Sequence, residues 1–160
     1  MELNFTLLSD IDKNYLIDPI EVDISKIKEY QKQFGSSENL RGEDLWRLGD
    51  QTTEAMGLCL DYWYVADRFA KHSKLKFDQI TSEVYLNEGN AALAALNIKP
   101  TVDSLRSYLE RHPKYLAAKN VQNSWETMRD WLLQMKELFR EKHYFVKKRL
   151  DQLISERAAV

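Results

Sequence analysis

The chain has 160 residues, enough for one domain with a substantial core, and its 44% hydrophobic and 30% charged residues exclude a disordered tail and a membrane-embedded protein. Its 5 glycines and 3 prolines are too few turn formers for a sandwich or barrel of many short strands, so an all-α fold is expected. The net charge of −2 hides an uneven distribution: residues 1–65 carry 13 acids and 6 bases, a net of −7, and residues 66–160 carry 12 acids and 17 bases, a net of +5, which makes a nucleic-acid partner worth testing.

Residues 1–24 hold paired apolar residues (Phe5, Leu7 and Leu8; Tyr15, Leu16 and Ile17) between polar clusters. Asp18 fits an N-cap with Pro19 at the first helical position. Ile20, Ile24, Ile27, Tyr30 and Phe34 then form one stripe of a short helix over residues 20–34, which Gly35-Ser36-Ser37 ends.

A first long helix is expected over residues 43–87. Leu45, Leu48, Thr52, Ala55, Cys59, Tyr62, Ala66 and Phe69 alternate steps of 3 and 4, a packing seam that Trp46, Met56 and Trp63 broaden. Gly49 and Gly57 each cost such a helix about 1 kcal/mol. The seam turns polar at Ser73 and Lys76, a place for the helix to fray. Leu75, Phe77, Ile80 and Val84 fit a continuation or a short strand, of which the helix is preferred. Asn87-Glu88-Gly89-Asn90 reads as a turn.

Beyond it, Thr101 is a good N-cap for a helix over residues 102–111, with Asp103 favourable to the helix dipole. The last helix runs from about Pro113 to about Glu156. Ala118, Val121, Trp125, Met128, Leu132, Met135 and Phe139 alternate steps of 3 and 4, a second step of 4 reaches His143, and Val146, Leu150 and Leu153 resume the pattern. So long an apolar stripe needs a partner, and the first long helix is the nearest. The fold class expected is therefore all-α: a long antiparallel helical hairpin with a short N-terminal helix and small helical insertions, self-associating through its apolar stripes. One helical domain over residues 1–160 is expected, comprising an N-terminal segment (1–37), the first long helix (43–87) and C-terminal helices (101–156).

Cys59 is the only cysteine, so an internal disulfide and a cysteine-based zinc site are excluded, and its place on the stripe reads as a small buried hydrophobe. His72, His112 and His143 show no metal-binding spacing, and no phosphate loop or nucleophile elbow is present; no enzyme, cofactor or metal is expected. No basic stretch leads into an apolar run after Met1, and no run of about 18 apolar residues occurs, so a cytoplasmic protein without a membrane span is expected.

Two basic clusters stand out. Arg68, Lys71, Lys74 and Lys76, with His72, follow the aromatic run Tyr62-Trp63-Tyr64. Lys136, Arg140, Lys142, Lys147, Lys148 and Arg149 surround Tyr144 and Phe145, and Lys136, Arg140, His143 and Lys147 share a helical face. Cations that track phosphates, interleaved with rings that stack on bases, suit single-stranded nucleic acid. Tyr64 and Tyr144 are the aromatics expected to reach bases, and Trp63, Trp125 and Trp131 to be core. The competing reading is a solvated helix face, since Glu137 and Glu141 interrupt the charge, or the docking of an acidic front on the basic back of another copy.

The chain resembles the UvsY type of phage recombination mediator. The resemblance is carried by Leu16-Ile17-Asp18-Pro19-Ile20-Glu21-Val22 with Ile27, Tyr30 and Phe34, by Leu60-Asp61-Tyr62-Trp63-Tyr64, and by a C-terminal block. That block comprises Thr101, Tyr115, Lys119, Trp125, Trp131-Leu132-Leu133, Leu138, Arg140, His143, Phe145, Val146 and Lys147-Lys148. The chain departs from the type in its length and in the acidity of residues 38–61. The resemblance implies a ring-like homo-oligomer in the cytoplasm of an infected host cell, binding single-stranded DNA and loading a phage recombinase. Lys74 and Lys76 would then contact DNA, and Arg140, Lys147 and Lys148 would contact DNA or a neighbouring copy. The alternative is a helical protein-interaction module, a phage adaptor or an inhibitor of a host protein, that binds no nucleic acid.

Overall fold

A computed structural model describes residues 24–34 and 42–158, and every element in them is helical. The elements are α1 (Ser25–Gln33), α2 (Gly42–Glu83), one π-helical turn (Val84–Glu88), α3 (Gly89–Ala95), α4 (Val102–Arg111) and α5 (Pro113–Ala158). The fold is all-α, with two long helices and a short N-terminal one. The expected cap at Asp18, the helix start at Ile20 and the loop at Gly35-Ser36-Ser37 lie outside the described residues. No described helix is long and apolar enough to cross a membrane.

The chain packs as two compact units. The first joins the described residues up to Leu58 with those from Phe139 onward. In it α1 buries Ile24, Ile27, Tyr30 and Phe34, the stripe expected from their spacing. Phe34 meets Phe139 of α5 edge to face, with ring centroids 5.4 Å apart. Leu45, Leu48, Thr52 and Ala55 of α2 are buried with Phe139 and Val146 of α5. Gly49 faces Val146 and Thr52 bonds His143, so the two helices run antiparallel here. Trp46 departs from the expectation. It is 62% exposed, because a residue next to Leu45 is turned about 100° from the seam.

The second unit is Cys59–Leu138. The seam of α2 is small here (Cys59, Ala66, Ala70, Ser73), while α5 buries Trp125, Met128 and Leu132. Phe69 stacks on Trp125 at 4.7 Å and Phe77 leans on Tyr115 at 5.2 Å, again an antiparallel pairing. The polar stretch neither frays nor breaks α2. Ser73 is buried, but its hydroxyl donates to the Ala70 carbonyl at 2.9 Å, which satisfies it within the helix.

The expected turn at Asn87-Glu88-Gly89-Asn90 is absent. The chain stays helical, and the Gly89 N–H donates to the Val84 carbonyl five residues back, a π turn. Gly89 serves packing instead: a Cβ there would lie 3.0 Å from Leu105 Cδ2 and 3.3 Å from Tyr108 Cδ1 of α4. The turn comes later. Asn97, at φ 53°, ends α3 in a Schellman motif, with Ile98 N–H bonding Leu93 O at 2.9 Å and Asn97 N–H bonding Ala94 O at 3.0 Å. The cap expected at Thr101 forms: its Oγ1 accepts from Ser104 N–H at 3.2 Å, and Ser104 Oγ accepts from Thr101 N–H at 2.9 Å. Pro113 opens α5, where its missing N–H costs nothing.

Candidate nucleic-acid interface

The first basic cluster lies on α2 in the second unit, and Arg68, Lys71, Lys74 and Lys76 are all exposed. Tyr64, 66% exposed, shares a face with Arg68 and Lys71 by its spacing of 4 and 7. The charge here is offset: Lys71 pairs with Asp67 at 2.6 Å. Asp61 and Asp78 are also exposed nearby on the same helix.

The second cluster divides. Lys136 is half-buried in the second unit, whereas Arg140, Lys142, Tyr144, Lys147, Lys148 and Arg149 belong to the first. There the unbroken helix sets the geometry. Tyr144 is 71% exposed, with Arg140 one turn before it and Lys147 and Lys148 one turn after. Phe145 is 51% exposed, with Lys142 one turn before and Lys148 and Arg149 one turn after. Arg149 donates to Gln152 at 3.3 Å. Lys142, Lys147 and Lys148 make no ion pair or hydrogen bond among the described residues. Glu141 is the acid within this stretch. The patch thus presents two rings and a cationic surround from a single rigid helix.

Trp125 is buried, and Trp63 and Trp131 are half-buried, as expected of core residues. Cys59 is fully buried, and burial pushes its thiol up to about 12, so it carries no thiolate near neutral pH. Among the described residues no three His, Cys, Asp or Glu side chains gather to hold a metal.

Two polar arrangements escaped the sequence reading. In the first unit Thr52, fully buried, bonds His143 Nδ1 at 3.0 Å. The signal was available, since both are polar residues in otherwise apolar seams. In the second unit, Glu88 of the π turn takes His112 Nε2 at 3.0 Å and Lys114 Nζ at 2.7 Å. The Lys114 hydrogen bond, with a smaller contribution from His112, holds the Glu88 carboxyl below its ordinary range. Residues 24 and 26 apart in sequence gave no local sign of this cluster.

Comparison with family models, with curated proteins and with solved structures finds no match to this chain.

Proposed function

We propose that this protein is a non-enzymatic, single-stranded nucleic-acid-binding protein that works as a recombination mediator, self-associating and assisting the loading of a phage recombinase in the infected host's cytoplasm. One observation supports the binding surface above the rest: Tyr144 and Phe145 stand exposed on α5 within one helical turn of Arg140, Lys142, Lys147, Lys148 and Arg149. The lysines neutralise phosphates and release counterions, and the rings stack on bases in a sequence-tolerant way. The Arg68–Lys71–Lys74–Lys76 cluster is a secondary contact, since Asp67 holds Lys71. The role of mediator rests on the sequence resemblance.

A second reading has its own observation. In the first unit Trp46, Leu150, Leu153 and Ile154 line a groove with Gly42, Glu43 and Arg157, and Trp46 and Ile154 are exposed. That surface favours a helical protein-interaction module.

Binding to a fluorescent single-stranded oligonucleotide separates the two. A patch neutralising about four phosphates loses about fiftyfold in affinity between about 50 and about 200 mM salt. Absence of binding at about 50 mM salt rejects the nucleic-acid reading and leaves the interaction module.

A further inference from the structure

The basic patch has at its edge, where α5 packs on α2, a half-buried residue that the charge count leaves out. His143 lies one turn from both Arg140 and Lys147, and its Nδ1 is 3.0 Å from Thr52 Oγ1. The Thr52 hydroxyl has one proton, and its oxygen is only 2.7 Å from the Gly49 carbonyl oxygen. Two oxygens at that distance need a hydrogen between them, so the Thr52 proton is committed to Gly49. His143 Nδ1 must then be the donor. In the neutral ring this leaves the lone pair on Nε2. That atom makes no hydrogen bond among the described residues and is not sealed from solvent. No carboxylate among the described residues forms an ion pair with the ring. The acids of α2 flanking Thr52 are Asp50 and Glu54, both exposed, and Lys26 of α1 holds Glu54 at 2.5 Å.

We propose that His143 is a proton-gated phosphate ligand of this patch. Protonation at Nε2 leaves the Thr52 bond intact, because Nδ1 donates in both charge states. It adds a cation and a second N–H donor one helical turn from Arg140 and Lys147. The fold is indifferent to the proton, and the nucleic-acid surface is not. This inference rests on the single-strand-binding reading.

Imidazoles in proteins titrate near neutrality, so oligonucleotide binding is compared at about pH 5.5 and about pH 8. For wild type the slope of log affinity against log salt steepens by about 0.7 at the lower pH, the value for one added phosphate contact on a single strand, and affinity at about 50 mM salt rises about fivefold. His143→Asn places an amide N–H where Nδ1 stands, keeps a donor for Thr52 and removes the proton, so this share of the pH effect disappears; other histidines such as His72 contribute equally to both proteins. A pH response identical in wild type and His143→Asn overturns the inference while the binding reading stands. Failure of wild type to bind at either pH overturns both. In the free protein, the ring nitrogen shifts of His143 at about pH 8 must report the Nδ1–H tautomer. An Nε2–H tautomer overturns the inference without reference to any ligand.

Discussion

Replacing Gly89 and Gly57 by alanine should move stability in opposite directions, although both glycines lie inside helical backbone. An alanine in a helix interior is favoured over glycine by about 1 kcal/mol. At Gly57 nothing lies within 4 Å of the new Cβ, so the full gain is expected. At Gly89 the Cβ would lie 3.0 Å from Leu105 Cδ2, 3.2 Å from the Val84 carbonyl oxygen and 3.3 Å from Tyr108 Cδ1. Leu105 is buried, and the Val84 carbonyl accepts the Gly89 N–H, so neither can retreat without loss. Overpacking costs about 1–3 kcal/mol. The net effect at Gly89 is a loss of about 1 kcal/mol, a separation of about 2 kcal/mol between the two variants. Urea unfolding followed by helical circular dichroism reads this difference as a shift in midpoint at constant slope. In a Leu105→Ala background part of the Gly89→Ala penalty should vanish, because one of the three contacts is gone. If Gly89→Ala is as stabilising as Gly57→Ala, the close approach of α4 to the π turn is refuted.

Three further outcomes are expected. Phe139→Ala removes a fully buried ring that packs edge to face on Phe34, and should cost about 3–5 kcal/mol in the same unfolding assay. Glu88 has its folded-state pKa depressed, so its contribution to stability is present above its unfolded pKa and is lost as pH falls through the folded value. Glu88→Gln should therefore destabilise at pH 7 and converge with wild type as the pH falls through the folded value, in paired urea titrations. Cys59 should react with a thiol reagent only as fast as the chain opens, and labelling as fast as a free thiol would contradict its burial.

Much of the fold was legible because helical periodicity is a direct record of burial. The steps of 3 and 4 from Leu45 to Ala66 and from Trp125 to Phe139 identify residues that are buried in the structure, except for the half-buried Tyr62 and Met135. Thr101 announced a cap because its hydroxyl can reach only nearby backbone. Gly89 misled for a physical reason. Glycine serves a turn by tolerating positive φ and serves a helix by admitting a close neighbour, and sequence does not separate the two uses. Asn97, three residues before Pro100, was the true stop. Trp46 was placed in the stripe by its chemistry rather than its angle. For the interface, the cations and rings were all visible. What required coordinates was pairing, which removes Lys71 but not Lys147 from the supply of unpaired cations. The Thr52–His143 bond joins residues 91 apart, so only the packed helices reveal it.

The proposed role of the Tyr144 patch on α5 is to hold single-stranded nucleic acid. It is tested most directly by fluorescence anisotropy of a labelled oligonucleotide at about 50 mM salt, with wild type beside Lys147→Glu/Lys148→Glu. Both lysines are exposed and make no ion pair among the described residues, so the double variant should keep its fold and melting profile. Wild-type binding is expected, with a loss of at least about tenfold in the double variant and a shallower salt dependence. Equal affinities for the folded double variant and wild type would contradict it.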